Sequence, residues 1–131
     1  SLKFKNEVLE NTVITADFDK MHEVVINLMD NAIKYSEGGE IEAWLRFGGD
    51  IRQKTMVFSV KDQGMGIKPE DIKKLFVKFS RSDEAKKIRP DGMGLGLFLV
   101  KKVVHDHKGR VWVESPGLGK GSTFFVEIPA V

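Results

Sequence analysis

Two asparagines four residues apart, Asn27 and Asn31, stand in the run Asn27-Leu28-Met29-Asp30-Asn31-Ala32-Ile33-Lys34-Tyr35. On a helix this spacing puts both amides on one face, with Lys34 close by. Burying such a pair is costly unless polar partners meet it. The face is therefore expected to receive a ligand or another polar segment. Two further clusters supply candidates: Asp62-Gln63-Gly64-Met65-Gly66, and Asp91-Gly92-Met93-Gly94-Leu95-Gly96-Leu97.

Asp62 follows the apolar run Met56–Val60, so it falls at the end of a strand. There a carboxylate can accept a hydrogen bond from an exocyclic amine such as N6 of adenine, whereas guanine would offer an oxygen that it repels. Gly64 and Gly66 let backbone approach a flat base. Gly92, Gly94 and Gly96 precede a helix, whose first N–H groups and partial positive charge suit phosphate. Against that background Asn31 offers a neutral oxygen to Mg²⁺, which commonly takes one or two protein ligands beside substrate phosphates. Asn27 can bond a water or a phosphate, Lys34 adds positive charge, and Tyr35 can pack beside the nucleotide. Each cluster alone has a plain structural explanation: an Asp-Gly turn, a glycine helix entry, a packing asparagine. Their joint occurrence argues for a site. A dinucleotide fingerprint does not fit, because a polar loop precedes the glycines. Gly117-Leu118-Gly119-Lys120-Gly121-Ser122 is not a Walker loop, because Gly121 interrupts the Gly-Lys-Ser/Thr order.

The elements that must hold these residues are legible from periodicity. Lys3 to Ala16 reads as extended, with β-prone pieces at Phe4–Val8 and Thr12–Ala16. Asp17 or Asp19 can cap a helix whose apolar positions recur from Met21 to Tyr35. Glu40–Phe47 and Thr55–Val60 form a hairpin around Gly48-Gly49-Asp50. Pro69 opens a short helix through Leu75, Leu95–His107 is a second long helix, and Arg110–Glu114 and Thr123–Ile128 are closing strands. This order predicts an α+β two-layer sandwich, a mixed, mostly antiparallel sheet on about three helices. The 131 residues suit a single domain, 1–131. A net charge of +2 gives no case for nucleic acid, and 41% apolar with 31% charged residues is ordinary for a globular domain. Absence of cysteine excludes disulfides and cysteine-zinc sites, and no apolar run predicts direct membrane insertion by this chain.

The order of clusters resembles the ATP-binding catalytic domain of sensor histidine kinases, in the GHKL superfamily with gyrase B, MutL and the heat-shock chaperone ATPases. Residues 27–35 resemble its N box, 62–67 its G1 box, 75–81 (Leu75-Phe76-Val77-Lys78-Phe79-Ser80-Arg81) its F box, and 92–97 its G2 box. Gly121-Ser122-Thr123-Phe124 resembles the final glycine-threonine strand, and His107-Lys108-Gly109 the usual His-Gly-Gly helix end, with Lys108 a departure. The resemblance implies a Bergerat-type fold and ATP and Mg²⁺ as ligands. It further implies that Asn31 binds Mg²⁺, that Asn27 and Lys34 hold the triphosphate, and that Asp62 recognises adenine. Tyr35, Gly64, Gly66, Ile67, Phe79, Arg81, Gly92, Gly94, Leu95, Gly96 and Leu97 would shape the pocket, with residues 77–93 as lid and Thr123 under the adenine end.

One position separates the subfamilies. Hydrolysing relatives carry a water-activating glutamate four residues before the metal-binding asparagine, and here that position is Asn27, an amide that cannot act as a general base. The resemblance therefore implies a protein histidine kinase domain. Its partner would be a dimerisation and phosphoacceptor histidine domain of the same parent chain, with a response regulator downstream. The implied setting is cytoplasmic, either free or as the cytoplasmic part of a membrane-anchored sensor. None of His22, His105 and His107 has the setting of an acceptor histidine. The alternatives are a nucleotide-dependent interaction module degenerate as a kinase, and an anti-sigma-type serine kinase.

Overall fold

A computed structural model describes residues 2–8, 13–36, 38–50, 52–76 and 96–130. Five strands form one sheet: β1 (Leu2–Asn6), β2 (Ile41–Gly49), β3 (Lys54–Asp62), β4 (Arg110–Glu114) and β5 (Ser122–Pro129). Their spatial order is β1-β2-β3-β5-β4, with β1 parallel to β2 and every other pairing antiparallel. Three helices accompany the sheet among the described residues: α1 (Phe18–Tyr35), α2 (Pro69–Ile72) and α3 (Gly96–Asp106). The α+β sandwich read from the sequence is the observed architecture.

The core lies between the sheet and α1 with α3. Val24, Leu28 and Ala32 of α1 and Val100, Val103 and Val104 of α3 meet Val60, Phe124, Val126 and Ile128 from the central strands. On β5 the alternation is complete, so Ser122, Phe124, Val126 and Ile128 point inward. The opposite sheet face is closed by rings and cations: Trp112 stacks on Phe125 with centroids 5.0 Å apart, and Arg46 lies 3.7 Å from the Trp44 ring centre.

Several boundaries differ from the sequence reading. α1 starts at Phe18 because Asp17 is its N-cap, its carboxylate accepting from Lys20 N–H at 3.1 Å. No strand forms over residues 13–16. There Ile14 packs on the core, and the following Asp17 N–H donates to His107 Nε2 at 2.9 Å rather than to a strand. His107 Nδ1 in turn lies 2.7 Å from the Val103 carbonyl, so the ring ties the end of α3 to the cap of α1. α2 ends at Ile72 instead of Leu75, passing into turns that place Leu75 in the core and Phe76 edge-on to Phe124.

Candidate functional site

β3 delivers Asp62 to the inner face of the sheet at its last residue, where the side chain is 4% exposed. Both carboxylate oxygens have donors. Gly64 N–H donates to Oδ1 and the Ser122 hydroxyl to Oδ2, each at 2.9 Å. No cation pairs with Asp62 among the described residues. Burial pushes its pKa above the ordinary carboxylate value of 3.8, opposed by the Gly64 N–H and by the hydroxyl and N–H of Ser122. The result is an acceptor held in place by neutral donors, with second lone pairs left for a neutral N–H of a ligand.

The loop after Asp62 can hug α1 only because it is glycine-rich. A Cβ on Gly64 would collide with the Tyr35 carbonyl at the helix end. Gly66 adopts φ 68, in the left-handed region, and any side chain there would strike the Gly117 carbonyl. Ile67 is buried, and its N–H donates to the Ser115 hydroxyl at 3.1 Å. Gly121 N–H returns to the Gly64 carbonyl at 3.2 Å, locking the β4–β5 connection onto the same loop.

The asparagine pair divides. Asn27 donates through Nδ2 to the Glu23 carbonyl at 2.8 Å. Its Oδ1 faces the first residue of α3, where a Cβ built on Gly96 would come within 2.9 Å of it. Asn31 is half-buried on the same face, and its amide makes no hydrogen bond among the described residues. Lys34 pairs with Asp30 at 2.8 Å. Asn27, Asn31, Tyr35, Asp62, Gly64 and Gly96 thus come from α1, the β3–α2 loop and the head of α3, all on the inner side of the sheet. Leu97 packs against the core beside them.

Two placements qualify the sequence reading. Thr123, expected under the adenine end, lies on the outer face, paired with Lys61 and Glu114 in neighbouring strands and lining a pocket with them. Alternation along β5 gives the inner place to Ser122, which the sequence reading had not assigned. The signal was present, because Ser122 shares the parity of Phe124, Val126 and Ile128. Phe79, Arg81, Gly92, Gly94, Leu95 and the lid 77–93 lie outside the described residues.

Comparison with known proteins places this fold in a family. Sensor protein SrrB of Staphylococcus aureus (strain MRSA252) is 38% identical over 117 residues, 89% of this chain and 19% of SrrB. The chain thus spans about a fifth of the length of the curated relatives it matches. The mycobacterial sensor histidine kinase MprB superposes with a TM-score of 0.79 at 29% identity, covering 98% of this chain and 82% of that one. The catalytic domain of histidine kinase ThkA in nucleotide-free form gives 0.78 at 30% identity, covering 98% and 78%. Residues 16–131 match the family model itself, and the chain belongs to the histidine kinase-, DNA gyrase B- and HSP90-like ATPases, with sensor histidine kinase catalytic domains as its structural neighbours.

Proposed function

We propose that the chain binds Mg-ATP and presents the γ-phosphate to a histidine on a separate dimerisation and phosphoacceptor domain in two-component signalling. The observation that carries this reading is Asp62, a buried carboxylate with no cation beside it among the described residues, answered by Gly64 and Ser122. Asp62 accepts the adenine amine, and the loop glycines let the base lie close to backbone. Asn31, whose amide has no other partner among the described residues, suits Mg²⁺ through its oxygen. A bound Mg²⁺ would neutralise charge on the phosphate oxygens.

Asn27 argues for transfer over hydrolysis. Its amide is engaged with Glu23 and turned to Gly96, and it has no basic lone pair with which to deprotonate water. Catalysis by this chain is then positioning and charge neutralisation, and the nucleophile arrives from elsewhere. Calorimetric titration tests the binding half. ATP is expected to bind on the order of 100-fold more tightly than GTP, because a carboxylate facing guanine O6 leaves two acceptors opposed. Asp62→Asn should erase most of that preference, and Asn31→Ala should remove the dependence on Mg²⁺. Equal affinity for ATP and GTP in the wild-type chain would contradict the assignment of Asp62.

A further inference from the structure

The connection between β4 and β5 begins at Ser115 and carries glycine at 117, 119 and 121. Glycines at that density give a turn little stiffness of its own, so its shape depends on what side chains tie it. Ser115 supplies the tie. Its hydroxyl donates to the Gly121 carbonyl at 2.7 Å, the nearer of two acceptors, since the Gly117 carbonyl lies 3.4 Å away. It accepts from the Ile67 N–H at 3.1 Å and from the Gly117 N–H at 3.3 Å. One proton given and two lone pairs taken up is the whole capacity of a serine hydroxyl. Backbone from both sides of the turn and from the β3–α2 loop thus meets at one oxygen.

Each tie leads to Asp62. Gly121 precedes Ser122, whose hydroxyl and N–H both bond the Asp62 carboxylate. The Gly121 N–H bonds the Gly64 carbonyl at 3.2 Å, and the Gly64 N–H is the donor on the other carboxylate oxygen. Ile67 is buried and anchors the far end of the same loop. The two segments that hold Asp62 are therefore clamped together by a side chain that makes no contact with the carboxylate itself. Hydrogen bonds weaken steeply as their angles close, so a turn free to shift would loosen the donors on Asp62.

We propose that Ser115 is a positioning residue for base recognition, which sets Asp62 for the adenine amine by holding the Gly121-Ser122 turn against the β3–α2 loop. This role rests on the reading of Asp62 as the acceptor for adenine. Calorimetric titration of the full chain with ATP and with GTP separates the two, in wild type and in Ser115→Ala, Ser115→Thr and Ser115→Val. Threonine keeps the hydroxyl and valine removes it at nearly the same shape, so that pair reads the hydroxyl even where alanine unsettles the fold. Ser115→Ala and Ser115→Val should each lower ATP affinity about tenfold and GTP affinity by less than about twofold. Ser115→Thr should restore the wild-type preference for ATP. In an Asp62→Asn background Ser115→Ala should bring no further loss, because residues that act through one another are not additive. A wild-type chain that binds both nucleotides alike overturns the Asp62 assignment and this role with it. A wild-type preference that survives removal of the hydroxyl, equal losses for both nucleotides, no restoration by Ser115→Thr, or a loss that adds to that of Asp62→Asn overturns the role of Ser115 alone.

Discussion

At the scale of single residues, the balance around Asp62 decides how the site responds to change. Burial disfavours its charge, and two side-chain or loop donors plus the Ser122 N–H favour it. Removing the Ser122 hydroxyl takes away a charge-assisted bond worth about 1.5–3 kcal/mol. Ser122→Ala is therefore expected to weaken ATP binding about tenfold or more, as read by titration, whereas Thr123→Ala on the outer face should leave it close to wild type. The native carboxyl also binds its proton more tightly than the unfolded one. Between the ordinary 3.8 and the raised native value the folded state holds more protons, so stability from this group falls as pH rises. Asp62→Asn should abolish that slope in urea unfolding measured from about pH 3 to pH 7, and a wild-type advantage that grows with pH would contradict it. Glu127 runs the other way. Burial alone would raise it, but the Thr55 hydroxyl and Arg110 overcome that and lower it below 4.5, so its contribution is whole above 4.5 and lost as pH falls through the native value. Asp62 could be found by reading the sequence because a lone carboxylate between an apolar strand and glycines is conspicuous. Ser122 was passed over because a serine before a threonine is distinguished only by strand parity.

At the scale of elements, backbone geometry sets the next constraints. Gly96→Ala brings a Cβ within 2.9 Å of Asn27 Oδ1 while the other end of that amide is tied to Glu23. The variant should keep its thermal stability, since among the described residues the only close contact of the new methyl is the end of the Asn27 side chain, and yet lose ATP affinity as the Asn27 amide is displaced. Simultaneous loss of fold would contradict that separation. α3 is followed by Lys108 at φ 61, with Gly109 N–H bonded to the Val104 carbonyl at 2.9 Å. The left-handed conformation costs a side-chain-bearing residue roughly 1–2 kcal/mol. Lys108→Gly is expected to raise the unfolding midpoint by relieving part of that cost. Strands β2, β3, β4 and β5 and both long helices were readable because alternation and helical spacing survive wherever one face is buried. The stretch from 13 to 16 was not, because Ile14 packs on the core and the next residue, Asp17, bonds His107 instead of a ladder partner.

At the scale of the whole molecule, the sheet order places β3 and β5 side by side beneath the helices, so the G1-type loop and the Gly121-Ser122 turn meet at one end. That convergence sets the G1-type loop, Ser122 and the Tyr35 end of α1 side by side. The central claim concerns the fate of the phosphate. The chain should be mixed with γ-labelled ATP, Mg²⁺ and the phosphoacceptor domain of a sensor histidine kinase, and the label followed by its acid-labile, base-stable linkage. The account predicts label on the acceptor histidine with little free phosphate, and loss of that label with Asn31→Ala. Rapid release of free phosphate, or bound ATP with an acceptor that stays unlabelled, would contradict it.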